Sequence, residues 1–179
     1  MKRIFAACSV LMAFSIIGLA QAKGANFAGA WELDKSKSQL AGPMADMIQS
    51  ATWTVTQDDK QLSREQKVER NPNAQPPGGG GGGGGGRGGG MMGGGGPLTV
   101  KLDGSETTAE TPRGKSTTKA KWLNEGKTLE ITTVASTPNG DLTTTEHWEL
   151  TDGGKALKVH RKQDTPRGPM ESTWVFAKK

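Results

Sequence analysis

The chain has 179 residues, enough for one domain, and 32% are hydrophobic, with five Trp, four Phe and no Tyr. Lys and Arg number 23 against 18 Asp and Glu; this net charge of +5, interleaved rather than blocked, is too mild to specify a nucleic-acid partner. Sixteen of the 27 glycines fall between Gly78 and Gly96 without the period of collagen, and the remainder has the composition of a small globular domain.

The first 22 residues have the layout of a secretory signal peptide: a basic start at Lys2 and Arg3, an apolar stretch from Ile4 to Leu19, and small residues at Ala20-Gln21-Ala22. The expected product is a single domain over 23–179, exported to the periplasm or the medium, with no membrane span after cleavage. The cut also removes Cys8, the only cysteine, so the mature chain is expected to lack disulfides, thiolate nucleophiles and Cys-based metal sites.

In chain order, period-two alternation predicts strands at 29–34, 51–57, 61–69, 97–103, 106–111, 115–123, 127–135, 141–150, 155–163 and 169–177. One short helix is predicted at 43–50, with Pro43 in its first turn and Met44, Met47 and Ile48 on one stripe. The segment 78–96 reads as a disordered loop between two strands, because glycine carries the largest ordering entropy. Turn residues tolerant of positive φ separate the strands, among them Asn124-Glu125-Gly126 and Asp152-Gly153-Gly154. Thr-Pro-x-Gly recurs at 111–114, 137–140 and 165–168, each followed by a strand carrying Trp122, Trp148 or Trp174. The three turns are therefore expected at one end of the sheet and the three Trp near the other.

The alternation also assigns faces. Lys115, Lys119 and Lys121 point outward, which turns Thr118, Ala120 and Trp122 inward. The same test turns Trp53, Val55, Leu62, Val68, Leu98, Val100, Leu102, Leu129, Ile131, Leu142, Trp148, Leu150, Leu157, Val159, Trp174 and Phe176 inward. A meander this long with one apolar face closes on itself. The expected fold is all-β: an antiparallel up-and-down barrel of eight to ten strands.

Gly29-Ala30-Trp31 matches the short G-x-W signature of lipocalins, and 27–38 resembles the opening of small secreted bacterial lipocalin-like proteins. Ala120-Lys121-Trp122, Thr128-Leu129-Glu130-Ile131 and the closing Thr173-Trp174-Val175-Phe176 are similar in order to the fatty-acid-binding branch of the calycins. The resemblance spans most of 27–177 and implies an up-and-down, lipocalin-like barrel that holds an apolar small molecule.

Catalytic signatures are missing. No G-x-S-x-G or H-E-x-x-H occurs, and His147 and His160 fall on outward positions without a third convergent donor, so neither catalytic residues nor metal ligands nor a cofactor site are assigned. Gly114-Lys115-Ser116 precedes a strand rather than a helix, which excludes a phosphate loop, and the Gly tract lacks the strand–loop–helix setting of a dinucleotide site. Arg87-Gly88-Gly89 is a lone RGG and assigns no RNA partner.

Arg64, Arg161 and Glu146 map inward, where an unpaired charge is costly. Two readings remain open. In one, Arg161 and Glu146 pair across the 141–150/155–163 hairpin and Arg64 reaches solvent at a barrel mouth. In the other, one or both Arg face a cavity and hold a ligand carboxylate. The functional expectation is a non-enzymatic exported barrel that binds a small apolar or amphiphilic, anionic molecule through Trp122, Trp148, Trp174, Arg64 and Arg161. The alternative is an envelope or surface interaction module whose barrel is filled by its own side chains.

Overall fold

The structure, a computed structural model, describes residues 24–41, 44–74, 97–111, 114–137, 140–165 and 168–179. The expected signal peptide, the Gly tract and the central residues of the three Thr-Pro-x-Gly turns lie outside the described residues.

Ten strands follow in order: β1 Gly29–Leu33, β2 Ile48–Gln57, β3 Gln61–Arg70, β4 Leu98–Lys101, β5 Thr107–Thr111, β6 Gly114–Leu123, β7 Thr128–Thr137, β8 Gly140–Thr151, β9 Ala156–Thr165 and β10 Gly168–Lys178. They form one antiparallel sheet in the order β4-β3-β2-β1-β10-β9-β8-β7-β6-β5. Apart from the β1–β10 pairing, every sheet neighbour is also a sequence neighbour, and β1 pairs with β10 to curl the sheet into a nearly closed barrel. The two ends of the sheet, β4 and β5, are consecutive in the chain. This is the up-and-down barrel that the alternation predicts.

The helix is shorter than predicted. Pro43 lies outside the described residues; of the described part of that segment Met44–Met47 is helical (α1), and β2 begins at Ile48. Ile48, Ala51 and Trp53 are all buried, and a register shift between Ile48 and Ser50 brings their spacing onto one face. Burial on a pleated wall overrides the helical stripe that Met47 and Ile48 suggested.

Hairpin registers place the Thr-Pro-x-Gly connections together. Thr111 pairs with Gly114, Thr137 with Gly140, and Thr165 with Gly168, all at one end of the barrel. Gly114 there has φ +132°, and a Cβ on it would run into the Ser136 carbonyl oxygen. The opposite end is closed by two three-residue turns with the same conformation, Asn124–Gly126 and Asp152–Gly154, in which all three residues have positive φ. Trp122 and Trp148 lie at this second end, so the expected separation of Trp and Thr-Pro-x-Gly holds.

The core lies inside the barrel and contains Phe27, Trp31, Trp53, Leu62, Leu129, Trp148, Leu157, Trp174 and Phe176. Burying one such Trp removes roughly 150–250 Å² from water, an upper estimate of about 4–6 kcal/mol. Residues 24–28 close the turn end. Ala25 N donates to the Gly126 carbonyl (2.7 Å), Gln57 Nε2 donates to the Ala25 carbonyl (2.9 Å), and Phe27 N donates to Gln57 Oε1 (2.9 Å).

Candidate functional site

Inward side chains on β6 to β10 form rows across the wall. The first row runs Trp122, Leu129, Trp148, Val159, Trp174. Two residues further along each strand, the second row runs Ala120, Ile131, Glu146, Arg161, Ser172. The third runs Thr118, Thr133, Thr144 and Gln163 and ends at Met170, which is exposed. An aromatic layer, a charged layer and a hydroxyl layer thus succeed one another from the turn end toward the Thr-Pro-x-Gly end.

The aromatic layer is densely packed. Trp53, from the facing wall, lies 5.2 Å from Trp148, 6.4 Å from Trp174 and 4.2 Å from Phe176 between ring centroids. Phe27 meets Trp148 edge-on at 5.8 Å and stacks on Trp122 at 6.0 Å. Trp122 is half-buried, and Phe27 lies between it and Trp148, with Gly24 against its ring. A cleft of about 720 Å³ opens beside it, with Leu102, Gly104 and Ala120 among its walls; none of Arg64, Glu146 and Arg161 lines that cleft.

The charged layer holds the other named residues. Glu146 is the hub. It accepts from Trp148 Nε1 at Oε2 (3.0 Å), faces Arg64 Nη1 at 3.4 Å and faces Arg161 Nε at 3.8 Å. Arg161 sits directly opposite Glu146 in register, as the hairpin reading expects. Arg64 does not reach solvent at a mouth. It is 4% exposed, and its guanidinium lies over Trp53 at 4.4 Å and near Trp148 at 5.8 Å. The reason is length across the lumen: β3 stands opposite β8, and the Arg64 stem spans the space to Glu146 rather than running outward along its own strand. Burial pushes the Arg64 guanidinium below its ordinary pKa, the Glu146 carboxylate opposes that shift, and the Arg161 charge adds to it.

Two buried donors here have no acceptor among the described residues, Arg64 Nε and Trp53 Nε1. Buried donors are ordinarily paired, so their orphaning marks a place where an acceptor is wanted. The third layer is quieter. Thr118 and Thr133 share a hydrogen bond of 3.2 Å, and Gln163 Nε2 donates to Thr144 Oγ1 at 3.3 Å.

Trp148, Trp174, Arg64 and Arg161 are thus brought together, and Trp122 stands apart at the closed end. Trp53 and Phe27 complete the cluster. The alternation had placed Trp53 inward, but nothing in it marked Phe27, which precedes the first strand.

On the outer face, His147 and His160 pair in register with ring centroids 6.4 Å apart. His147 Nε2 is 3.1 Å from Glu130, and His160 Nε2 is 3.9 Å from Glu171. Among the described residues, no group of three His, Cys, Asp or Glu is placed to hold a metal ion, and no helix is long and apolar enough to cross a membrane.

No protein-family model matches the chain, and no curated protein matches it. Among solved structures, zebrafish ileal bile acid-binding protein complexed with cholic acid is similar, with a TM-score of 0.48 and 17% sequence identity over 86% of this chain and 98% of that one.

Proposed function

We propose that this chain is an exported, non-catalytic binding protein for a small amphiphilic anion, whose acidic group is received in the charged layer by Arg64 and Arg161. The observation that carries the reading is the donor surplus. Arg64 Nε and Trp53 Nε1, buried on either side of the Glu146 contact, have no acceptor among the described residues. A ligand carboxylate supplies those acceptors, and a charge-assisted contact at such a site contributes about 1.5–3 kcal/mol. The export part of the proposal rests on the signal-peptide layout of the first 22 residues.

The packed aromatic layer favours the second reading, an interaction module filled by its own side chains. Native mass spectrometry of protein purified from its own host separates the two. A co-purifying small acid supports binding. A bare mass, together with no change in Trp fluorescence on decanoate titration, favours the module.

A further inference from the structure

We propose that the cleft beside Trp122 is a second binding site, for an uncharged planar ring system that carries an amide N–H and C=O side by side. Its basis is an unfinished strand edge. β6 pairs with β7 as far as Leu123, whereas β5 pairs with β6 only as far as Thr118. Residues 119–123 of β6 therefore have one paired edge and one edge turned to the gap between β5 and β4, the two ends of the sheet.

Parity decides which backbone groups face that gap. Ala109 and Ser116 stand opposite each other, and the Ala109 carbonyl is turned toward β6, where it accepts from Ser116 Oγ at 3.4 Å. Bonding alternates along an antiparallel ladder, so Gly114, Ser116 and Thr118 point their N–H and C=O at β5. Ala120 and Trp122 continue that series and point theirs into the gap. The position of Gly104 agrees, since a Cβ there would lie 3.6 Å from the Ala120 carbonyl oxygen. Among the described residues, no backbone bond from β4 or β5 reaches Trp122. An extended residue turns its N–H and C=O to the same side, so Trp122 offers a donor and an acceptor that a cis-amide matches with two bonds.

The cleft supplies the rest. Its volume of about 720 Å³ is that of a small-molecule site. Leu102 and Ala120, both buried, and the half-buried Trp122 give a ring an apolar wall. The rim selects neither an anion nor a cation, because Lys119 and Lys121 stand against Asp103, Glu125 and Glu130. Three of these are already engaged: Lys119 by Glu106 at 2.7 Å, Glu130 by His147 at 3.1 Å and Asp103 by the Ser105 hydroxyl at 2.6 Å. The other two, Lys121 and Glu125, are opposite in sign. Arg64, Glu146 and Arg161 do not line the cleft, so this site stands whether or not the charged layer takes an acid.

The test uses two probes on the mature, isotope-labelled chain, followed by amide NMR shifts. Isocarbostyril is a planar bicycle with adjacent N–H and C=O; N-methylisocarbostyril keeps the rings and the carbonyl but has no N–H to give. The Trp122 and Gly104 amides are expected to move with isocarbostyril, and the N-methyl form is expected to bind about tenfold more weakly for want of one hydrogen bond. Gly104→Asn puts a side chain into the cleft at φ +83°, a conformation that Asn accepts better than most residues. It is expected to weaken isocarbostyril binding at least about fivefold, and thermal melts check that the barrel is intact. If that variant does not fold, the probe pair on the wild type decides. Equal binding of the two probes overturns the proposal, as do shifts centred on Glu146 and Arg161, unchanged affinity in folded Gly104→Asn, and no binding at millimolar probe. None of these outcomes bears on the anion-binding reading, whose own test is the co-purifying acid.

Discussion

Arg64 and Glu146 are 82 residues apart in sequence and 3.4 Å apart inside the barrel, reaching toward each other from β3 and β8. The contact ties the two walls together, and both side chains are buried. Such a pair adds little net stability against well-packed apolar residues, yet breaking it is expensive because one charge is stranded. Glu146 is the more exposed to this effect, since Arg64 and Arg161 both face it.

Glu146→Gln keeps an acceptor for Trp148 Nε1 but removes the charge between two guanidiniums. Unfolding free energy is expected to fall by about 3–5 kcal/mol. Adding Arg64→Met in the same chain is expected to recover more than half of that loss. Urea denaturation of the two single variants and the double variant forms the cycle that measures the coupling. Additive losses would show that the two residues do not act as a pair.

The turn at Asn124–Gly126 holds a non-glycine residue, Glu125, at φ +57°, whereas the matching position of the other turn is Gly153 at φ +65°. A left-handed conformation costs an L-residue roughly 1–2 kcal/mol, part of which glycine returns as greater freedom in the unfolded chain. Glu125 is exposed. Glu125→Gly is therefore expected to stabilise by about 1 kcal/mol, a rise of roughly 2–4 °C in Tm for a domain of this size. A lower Tm would mean that the Glu125 side chain contributes something the turn geometry does not reveal.

Much of this architecture can be read from the residues themselves. Ten strands follow from period-two patterning because nearly every strand buries one face and wets the other, as Thr118, Ala120 and the half-buried Trp122 do against Lys119 and Lys121. What alternation does not encode is depth. It turns Arg64 inward, but its position over Trp53 depends on barrel closure and on the register that sets Arg64 opposite Val55 and Leu98. Closure is a long-range property, so the mouth position was the wrong one of two inward placements. The role of Phe27 was hidden for a related reason. It lies outside any alternating run, and it is held in place by a hydrogen bond from its backbone N–H to the side-chain oxygen of Gln57, 30 residues away. The start of β2 was obscured because Met47 and Ile48 fit a helical stripe as well as the beginning of a strand.

Two aspartates organise tight turns by accepting backbone N–H bonds. Asp58 accepts from Lys60 N (2.7 Å) and Gln61 N (2.8 Å), and Asp34 accepts from Ser36 N and its hydroxyl. These bonds hold both carboxyls below their ordinary value of 3.8, for Asp58 chiefly through Lys60 N–H and for Asp34 chiefly through the Ser36 hydroxyl. A depressed folded-state pKa gives stability that is present above the ordinary value and lost as pH falls through the folded value. Thermal stability is expected to decline as pH drops below about 4, and Asp58→Ala and Asp34→Ala should lower Tm at pH 7 more than at pH 2.5. Equal losses at both pH values would remove the ionised carboxyls from the explanation.

Gly24 lies against the Trp122 ring, with no room for a Cβ unless the indole moves. Gly24→Val is expected to push residues 24–28 off the barrel end, red-shift Trp emission and cost about 1–3 kcal/mol by overpacking. An unshifted emission spectrum with unchanged Tm would show that the first described residues do not seal this end.

The functional reading turns on Arg161. Its contact with Glu146 is the longest of the three that the carboxylate makes, 3.8 Å against 3.4 Å from Arg64 and 3.0 Å from Trp148 Nε1. Removing it therefore leaves Glu146 with two partners, and the penalty should stay below the roughly 3–5 kcal/mol of a broken buried pair. Arg161→Met is expected to remain folded with a modestly lower Tm. Its affinity for an anionic amphiphile should fall about ten- to a hundredfold, the equivalent of roughly 1.5–3 kcal/mol for one charge-assisted contact. Affinity for an uncharged analogue of the same tail should change little, because the lost interaction is with the acid. Trp fluorescence titrations run beside thermal melts supply both quantities. A folded Arg161→Met protein that binds a demonstrated anionic ligand as tightly as the wild type would remove Arg161 from the site.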